Sequence, residues 1–187
     1  KIVYPSTPLD AYGLLKAAIQ DRNPVLFYEH KLLYSNPNKD RLPDDEFTTP
    51  LGTAELKREG DDLTIITYGL MVNRALAVAE RLSKGGVSVE ILDLRTVKPL
   101  DEAAILRSVA KTGRVIILHE APKTGGVGSE VAALIAEKAF DDLKVPIVRV
   151  GGPDTPVPYS SYLEDEWLLG EDTILNIVKK VLATQVT

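Results

Sequence analysis

The sequence contains no cysteine in its 187 residues. That absence excludes thiol catalysis, iron–sulfur clusters, cysteine-type zinc sites and disulfide staples. A surplus of positive charge is missing too. The net charge is −5 and the isoelectric point is near 5.1, so no broad cationic field attracts phosphate backbones or acidic lipid surfaces. Neither nucleic acid nor a membrane is an expected partner. No run reaches the roughly 20 apolar residues that a bilayer-crossing helix needs, and there is no internal repeat or low-complexity stretch. The opening Lys1-Ile2-Val3-Tyr4-Pro5 does not read as a targeting signal. Those residues read as the end of a buried strand, so the expectation is a beginning in the middle of something longer.

What is present is ordinary for a globular protein: 44% hydrophobic and 26% charged residues. Disorder and fibre are thereby excluded. A chain of this size buries roughly 70% of its unfolded surface and needs no covalent staple.

The spacing predicts a strand–helix–strand unit at the start. Thr7 is placed to cap a helix whose first residue is Pro8, and Asp10 sits in the first turn, where the helix dipole favours an anion. Leu14, Leu15, Ala18 and Ile19 make one apolar face, Asn23-Pro24 stops the helix, and Val25–Tyr28 follows as a strand. One β-α-β unit is too small to cover its own faces and must lean on other protein. From Lys31 to Pro50 there is neither helical nor strand period, which marks an interdomain crossing or a functional loop.

Strand and helix signals then alternate. Apolar strands are read at Leu63–Thr67, Val87–Leu94, Val115–Leu118 and Ile147–Val150, separated by helices with apolar stripes at Val72/Ala75/Leu76/Ala79/Leu82, at Ile105/Leu106/Val109 and at Val127/Val131/Leu134/Ile135. Ile174, Ile177, Val178, Val181 and Leu182 line a last helix. Continuous apolar strands separated by helices require right-handed crossovers and a parallel sheet covered on both faces. The fold class is α/β, a doubly wound, mostly parallel sheet preceded by a partial β-α-β unit.

In such sheets ligands gather beyond the carboxyl ends of the strands. Four segments lie there. Thr124-Gly125-Gly126-Val127-Gly128-Ser129-Glu130 enters a helix and offers free N–H groups to an anion, or else its glycines only let the helix pack closely on the sheet. Asp93-Leu94-Arg95 through Pro99-Leu100-Asp101 suits either a clamp for an acid substrate or an ion-pair network at an interface. His119-Glu120 and Glu29-His30 hold the two histidines, a base with its orienting carboxylate or plain hydrogen-bonded loop residues. A hydrolase triad on Ser129 lacks a nucleophile elbow. The proline-rich Gly151–Tyr159 loop suits a docking surface or a packed connection.

Read together, Pro5-Ser6-Thr7-Pro8, Leu14 to Asp21, Asn23-Pro24, Glu29-His30-Lys31-Leu32-Leu33-Tyr34, Asp93-Leu94-Arg95-Thr96, Pro99-Leu100-Asp101, His119-Glu120-Ala121-Pro122, Gly125-Gly126 and Pro153-Asp154-Thr155-Pro156 resemble the β subunit of the E1 component of 2-oxo acid dehydrogenase complexes, of pyruvate, branched-chain or acetoin type. The resemblance runs from Val3 to about Leu182. It implies a thiamine-diphosphate enzyme that decarboxylates a 2-oxo acid and acylates the lipoyl groups of an E2 acyltransferase.

The implied organisation is a remnant of the pyrimidine-binding domain at 1–34, an interdomain linker at 35–52 and a transketolase-type C-terminal domain at 53–187. The implied partners are an E1 α subunit, a second β subunit and E2, in an α2β2 assembly of the bacterial cytoplasm or mitochondrial matrix. Thiamine diphosphate and Mg2+ are implied only for the complete enzyme. The family's activating glutamate and active-site histidine belong to segments that would precede Lys1, so no catalytic or cofactor-binding residue is assigned here and the chain alone is expected to be inactive. One family site falls within it: Ala18 and Ile19 carbonyls with the Asp21 and Asn23 side chains, at a helix end, resemble a potassium site. An Asp/Asn helix stop explains the same residues. The alternative function is a stand-alone α/β interaction or regulatory module without catalysis.

Overall fold

The computed structural model describes residues 1–35 and 44–185. The linker expected at 35–52 lies partly, at 36–43, outside the described residues.

The chain begins with strand β1 (Ile2–Val3), helix α1 (Pro8–Gln20) and strand β2 (Leu26–Phe27), followed by a 3-10 turn at Lys31–Ser35. Thr7 caps α1 as expected, its side chain accepting the Asp10 N–H. The expected apolar face is corrected in part. Leu14 is buried, but Leu15 and Ile19 are 46% and 75% exposed, because Gly13 and Leu14, not Leu15 and Ile19, face the rest of the chain.

The main sheet has five strands in the order β3-β5-β4-β7-β8. These are β3 (Glu55–Arg58), β4 (Leu63–Thr67), β5 (Val89–Asp93), β7 (Val115–Pro122) and β8 (Val148–Gly152). Four are parallel, with Ile65 level with Ile91 on one side and Ile116 on the other. Helix α2 (Leu70–Ser83) links β4 to β5, α3 (Glu102–Thr112) precedes β7, and α4 (Val127–Lys138) links β7 to β8. The chain closes with α5 (Ser161–Trp167) and α6 (Glu171–Ala183).

Both faces are covered. On one side α2 and α6 bury Val72, Ala75, Val178 and Val181 against Ile65, Ile91 and Ile116. On the other, α3 and α4 bury Ile105, Val109, Val131 and Ile135 against Ile66, Leu92 and Ile117. Each fully buried side chain of this kind contributes on the order of 2 kcal/mol. This is the doubly wound, mostly parallel α/β fold.

Three elements depart from the expectation. β3 is an antiparallel edge strand on β5 where no strand was expected. Thr96–Lys98, read as part of a loop, is strand β6, and it pairs antiparallel with β1 to complete a second sheet in the order β2-β1-β6. α5 also lacked a sequence signal, being short and exposed except at Trp167.

Candidate functional site

The first cluster lies where α1 meets the main sheet. Asp10 is 4% exposed at its side chain, accepts from Lys57 Nζ at 2.7 Å and from Arg95 Nη1 at 3.1 Å, and receives the Thr7 hydroxyl at 2.8 Å. Burial alone would raise its pKa, but the Lys57 and Thr7 bonds and the Arg95 charge outweigh it and hold the carboxyl below its ordinary value. Lys57 also reaches Glu55. Arg95 divides its remaining donors between Glu55 at 3.1 Å and the Thr53 carbonyl at 3.2 Å.

Beneath them Asp93 is wholly buried. It accepts the Ser6 hydroxyl and, at 3.0 Å, the Arg95 N–H. Burial pushes its pKa up to about 7 against the opposing pull of Ser6 and Lys57. Arg95 itself has φ +52°, in the left-handed region, and its guanidinium bonds Asp10, Glu55 and the Thr53 carbonyl across the seam. Asp101 caps α3 by accepting from Ala104 N–H and ties down Ala54 N–H at 3.0 Å. Of the two readings of this segment, the structure supports the interface: the Arg95 donors bond within the chain and do not project as a substrate clamp.

The second cluster lies at the carboxyl ends of β4 and β7. The chain runs from β4 to β5 on one side and then returns to β7 on the other, so the topological switch point opens between them. His119 stands there with no exposed surface. Its Nδ1 lies 2.9 Å from the Ala121 carbonyl, so Nδ1 carries the hydrogen and Nε2 keeps a lone pair, without a hydrogen-bond partner. Tyr68 stacks on the ring at 6.3 Å. Burial, with Arg149 nearby, lowers the His119 pKa, so the ring is neutral.

A Cβ on Gly128 would come within 2.5 Å of Nε2, and one on Gly126 within 2.8 Å of the ring. Those two glycines make room for His119. Ser129 accepts from Arg149 Nη1 at 2.6 Å and donates to the Lys123 carbonyl at 3.2 Å.

The two dipeptides holding the histidines are joined across the chain: His30 Nε2 lies 2.8 Å from Glu120 Oε2. His30 Nδ1 accepts the Leu32 N–H at 3.2 Å, so its single ring hydrogen goes to Glu120. The neighbouring Glu29 accepts from Tyr34.

The candidate cation residues form the end of α1. Asp21 N–H donates to the Ala18 carbonyl at 3.3 Å, and Asp21 Oδ1 accepts from the Asn23 N–H and side-chain amide at 2.9 and 3.1 Å. The Lys1 ammonium bonds to the other carboxylate oxygen. These bonds, Lys1 first, lower the Asp21 pKa to about 2. Ile19, whose carbonyl belongs to the same turn, points its side chain outward.

Beyond β8 the Gly151–Tyr159 loop and α5 expose Val157, Tyr159, Tyr162 and Leu163 beside the acids Glu164, Asp165 and Glu166. Thr124 ties the loop down by donating to Asp154 at 2.7 Å. Lys57, Glu55 and Thr53 of the seam, and Tyr4 and Tyr68 at the switch point, were not singled out in the sequence. A lysine between Leu56 and Arg58 carries no pattern of its own, and its role appears only when β3 lies beside β5.

The transketolase C-terminal domain family matches residues 52–174. The 2-oxoisovalerate dehydrogenase subunit beta of Bacillus subtilis (strain 168) is 51% identical over 175 residues, covering 93% of this chain and 53% of that protein. The pyruvate dehydrogenase E1 component subunit beta of the same organism is 48% identical over 182 residues, 97% of this chain and 55% of its own. Its acetoin:2,6-dichlorophenolindophenol oxidoreductase subunit beta is 47% identical, covering 97% and 53% respectively. The chain thus spans about half the length of the curated relatives it matches. Among solved structures, a split-gene transketolase described as an inactive beta4 tetramer superposes with a TM-score of 0.79 at 25% identity, covering 98% of this chain and 58% of that one.

Proposed function

The chain belongs to the transketolase C-terminal domain family, and we propose that it serves as the C-terminal half of an E1 β subunit in a thiamine-diphosphate-dependent 2-oxo acid dehydrogenase. In this reading residues 1–34 are the remnant of the pyrimidine-binding domain, 35–52 the linker and 53–187 the transketolase-type domain. The whole enzyme decarboxylates a 2-oxo acid oxidatively and passes the acyl group to E2 lipoyl groups. This piece serves assembly with an E1 α subunit and a second β subunit, and docking of E2, in a bacterial cytoplasm or mitochondrial matrix.

The observation that carries the reading is the 47–51% identity, over nearly the whole chain, to three β subunits named for this chemistry. The surface supports it. Leu15 and Ile19 on α1, Leu26 on β2 and Leu32 on the turn after it stand exposed, apolar surface of the kind that partner protein covers. The acidic and aromatic α5 region suits a partner surface of positive charge.

Thiamine diphosphate, bound with Mg2+ in the complete enzyme, supplies the carbon nucleophile for decarboxylation. Among the described residues no group of three or more His, Asp or Glu side chains is placed to hold a metal ion. No catalytic step is assigned to these residues. Potassium is different. The Ala18 and Ile19 carbonyls at the negative end of α1, with the Asp21 and Asn23 oxygens, are hard donors suited to an alkali cation. The Lys1 ammonium at Asp21 marks the spot where positive charge is favoured. Thermal unfolding in potassium against tetraethylammonium chloride tests this: a rise in Tm with K+ that Asp21→Asn removes is expected, and an equal Tm in both salts counts against the site.

The assembly reading is tested by reconstitution with E1 α and E2 chains. Co-elution with both is expected, with E2 lost on Glu164→Lys/Asp165→Lys while α is retained. Elution apart from both contradicts the reading.

A further inference from the structure

At the switch point a cavity of about 220 Å3 lies among Tyr4, Tyr68, Leu70, Glu120, Val157 and Trp167. It draws on elements far apart in sequence: the residue after β1, the turn after β4, the end of β7, the proline-rich loop and α5. Two of its walls, Val157 and Trp167, adjoin the acidic α5 region described above, while Tyr4, Tyr68 and Glu120 lie outside that region.

The rings are held in place. Tyr4 packs with Tyr68 at 5.4 Å between centroids and with Tyr28 at 6.0 Å. Gly69, at φ +60°, lets the Tyr4 ring come so close that a Cβ there would lie 2.6 Å from it. Gly152 does the same for Trp167, at 3.0 Å, and the indole N–H donates to Thr155 at 3.2 Å. Three aromatic rings therefore line a cavity too small for a drug-sized ligand and wide enough for a small one.

The one charged side chain among these lining residues is Glu120. His30 Nε2 bonds one of its oxygens, and His30 Nδ1 accepts the Leu32 N–H, so the pair is a single hydrogen bond beside the carboxylate's charge. That charge reaches both phenols: burial first, and then Glu120, raise the pKa of Tyr4, and burial, Tyr4 and Glu120 push Tyr68 up to about 12. Both tyrosines stay neutral, and their rings line the cavity although Tyr28 stacks on Tyr4 and His119 on Tyr68. Aromatic faces beside a carboxylate attract a cation, and apolar walls favour one that carries methyl groups over one that needs its water.

We propose that the cavity formed by Tyr4, Tyr68, Trp167 and Glu120 is a binding site for a small alkylated ammonium ion. The site borders the proposed docking region at α5 but rests on these side chains, and its test below uses the chain without any partner.

Trp167 is the one tryptophan in the sequence, so its emission reports on the surroundings of this side chain, and the Glu120 and Tyr68 variants assign a response to the cavity. The chain is titrated with tetramethylammonium and with choline chloride, sodium chloride holding the ionic strength, and the same titrations are followed by calorimetry. A saturable change in emission with matching heat is expected. Glu120→Gln, which preserves side-chain volume, weakens binding about tenfold, and Tyr68→Leu about fivefold. Glu120→Gln carries the test if Tyr68→Leu does not fold. The neutral isostere 3,3-dimethylbutan-1-ol leaves the emission unchanged. Equal binding of that alcohol, unchanged affinity in Glu120→Gln, or no saturable response to either ammonium salt overturns the proposal.

Discussion

Arg95 and Asp10, 85 positions apart in the chain, are joined by an Nη1···Oδ1 hydrogen bond of 3.1 Å. With Lys57 on the same carboxylate, that bond locks the β1-α1-β2 unit to the main sheet. Replacing Asp10 by alanine leaves two largely buried cations with Glu55, at the more exposed edge of the seam, as their remaining shared carboxylate, a loss of about 2 kcal/mol. Urea unfolding of Asp10→Ala measures it. A loss below about 1 kcal/mol would mean that the pair behaves like a surface salt bridge.

Asp93 gives the seam a pH dependence of definite sign. Its pKa is about 7 in the folded chain against an ordinary 3.8. Between those values the folded state holds a proton that the unfolded state has released, so this group's contribution is full below 3.8 and is lost as pH rises through about 7. Asp10 runs the other way. Its lowered pKa gives stability above the ordinary carboxylate value that is lost on acidification through the lowered one, outside the Asp93 window. In Asp93→Asn, the unfolding free energy relative to the parent chain improves between about pH 5 and about pH 8. A constant difference across that range would show that Asp93 is ionised throughout.

The glycines around His119 separate space from backbone conformation. Gly128→Ala puts a methyl group 2.5 Å from His119 Nε2, whereas Gly125, at φ +68°, has nothing within 4 Å of where its Cβ would lie. The first substitution pays in overpacking, about 2 kcal/mol, and the second in backbone strain, about 1 kcal/mol. Thermal unfolding ranks them. If Gly125→Ala proves the more damaging, the glycines serve the loop and not the histidine.

Much of the fold was legible because single short segments carry it. Thr7-Pro8 and Asp10 announce the start of α1, and the unbroken apolar run Leu63–Thr67 announces a central strand. What was hidden depends on pairing between distant segments. β3 reads as polar because Lys57 faces buried carboxylates, not hydrocarbon, and β6 is a strand only because β1 lies beside it. Leu15 and Ile19 fit the helical stripe by spacing, yet spacing cannot say which part of a wide stripe this chain itself covers. His119 did carry a signal, a histidine ending the apolar run Val115–Leu118, but its meaning needed Gly126 and Gly128 beside it. The Tyr4–Trp167 cavity joins residues from opposite ends of the chain, and no local pattern points to it.

The central claim is that this chain works as part of a larger α/β assembly. Native mass spectrometry of the chain co-expressed with an E1 α chain is the most direct measurement. The account predicts complexes that contain both chains, and a 20.4 kDa species that is minor. A lone 20.4 kDa monomer at micromolar concentration, with α free in the same sample, would contradict it.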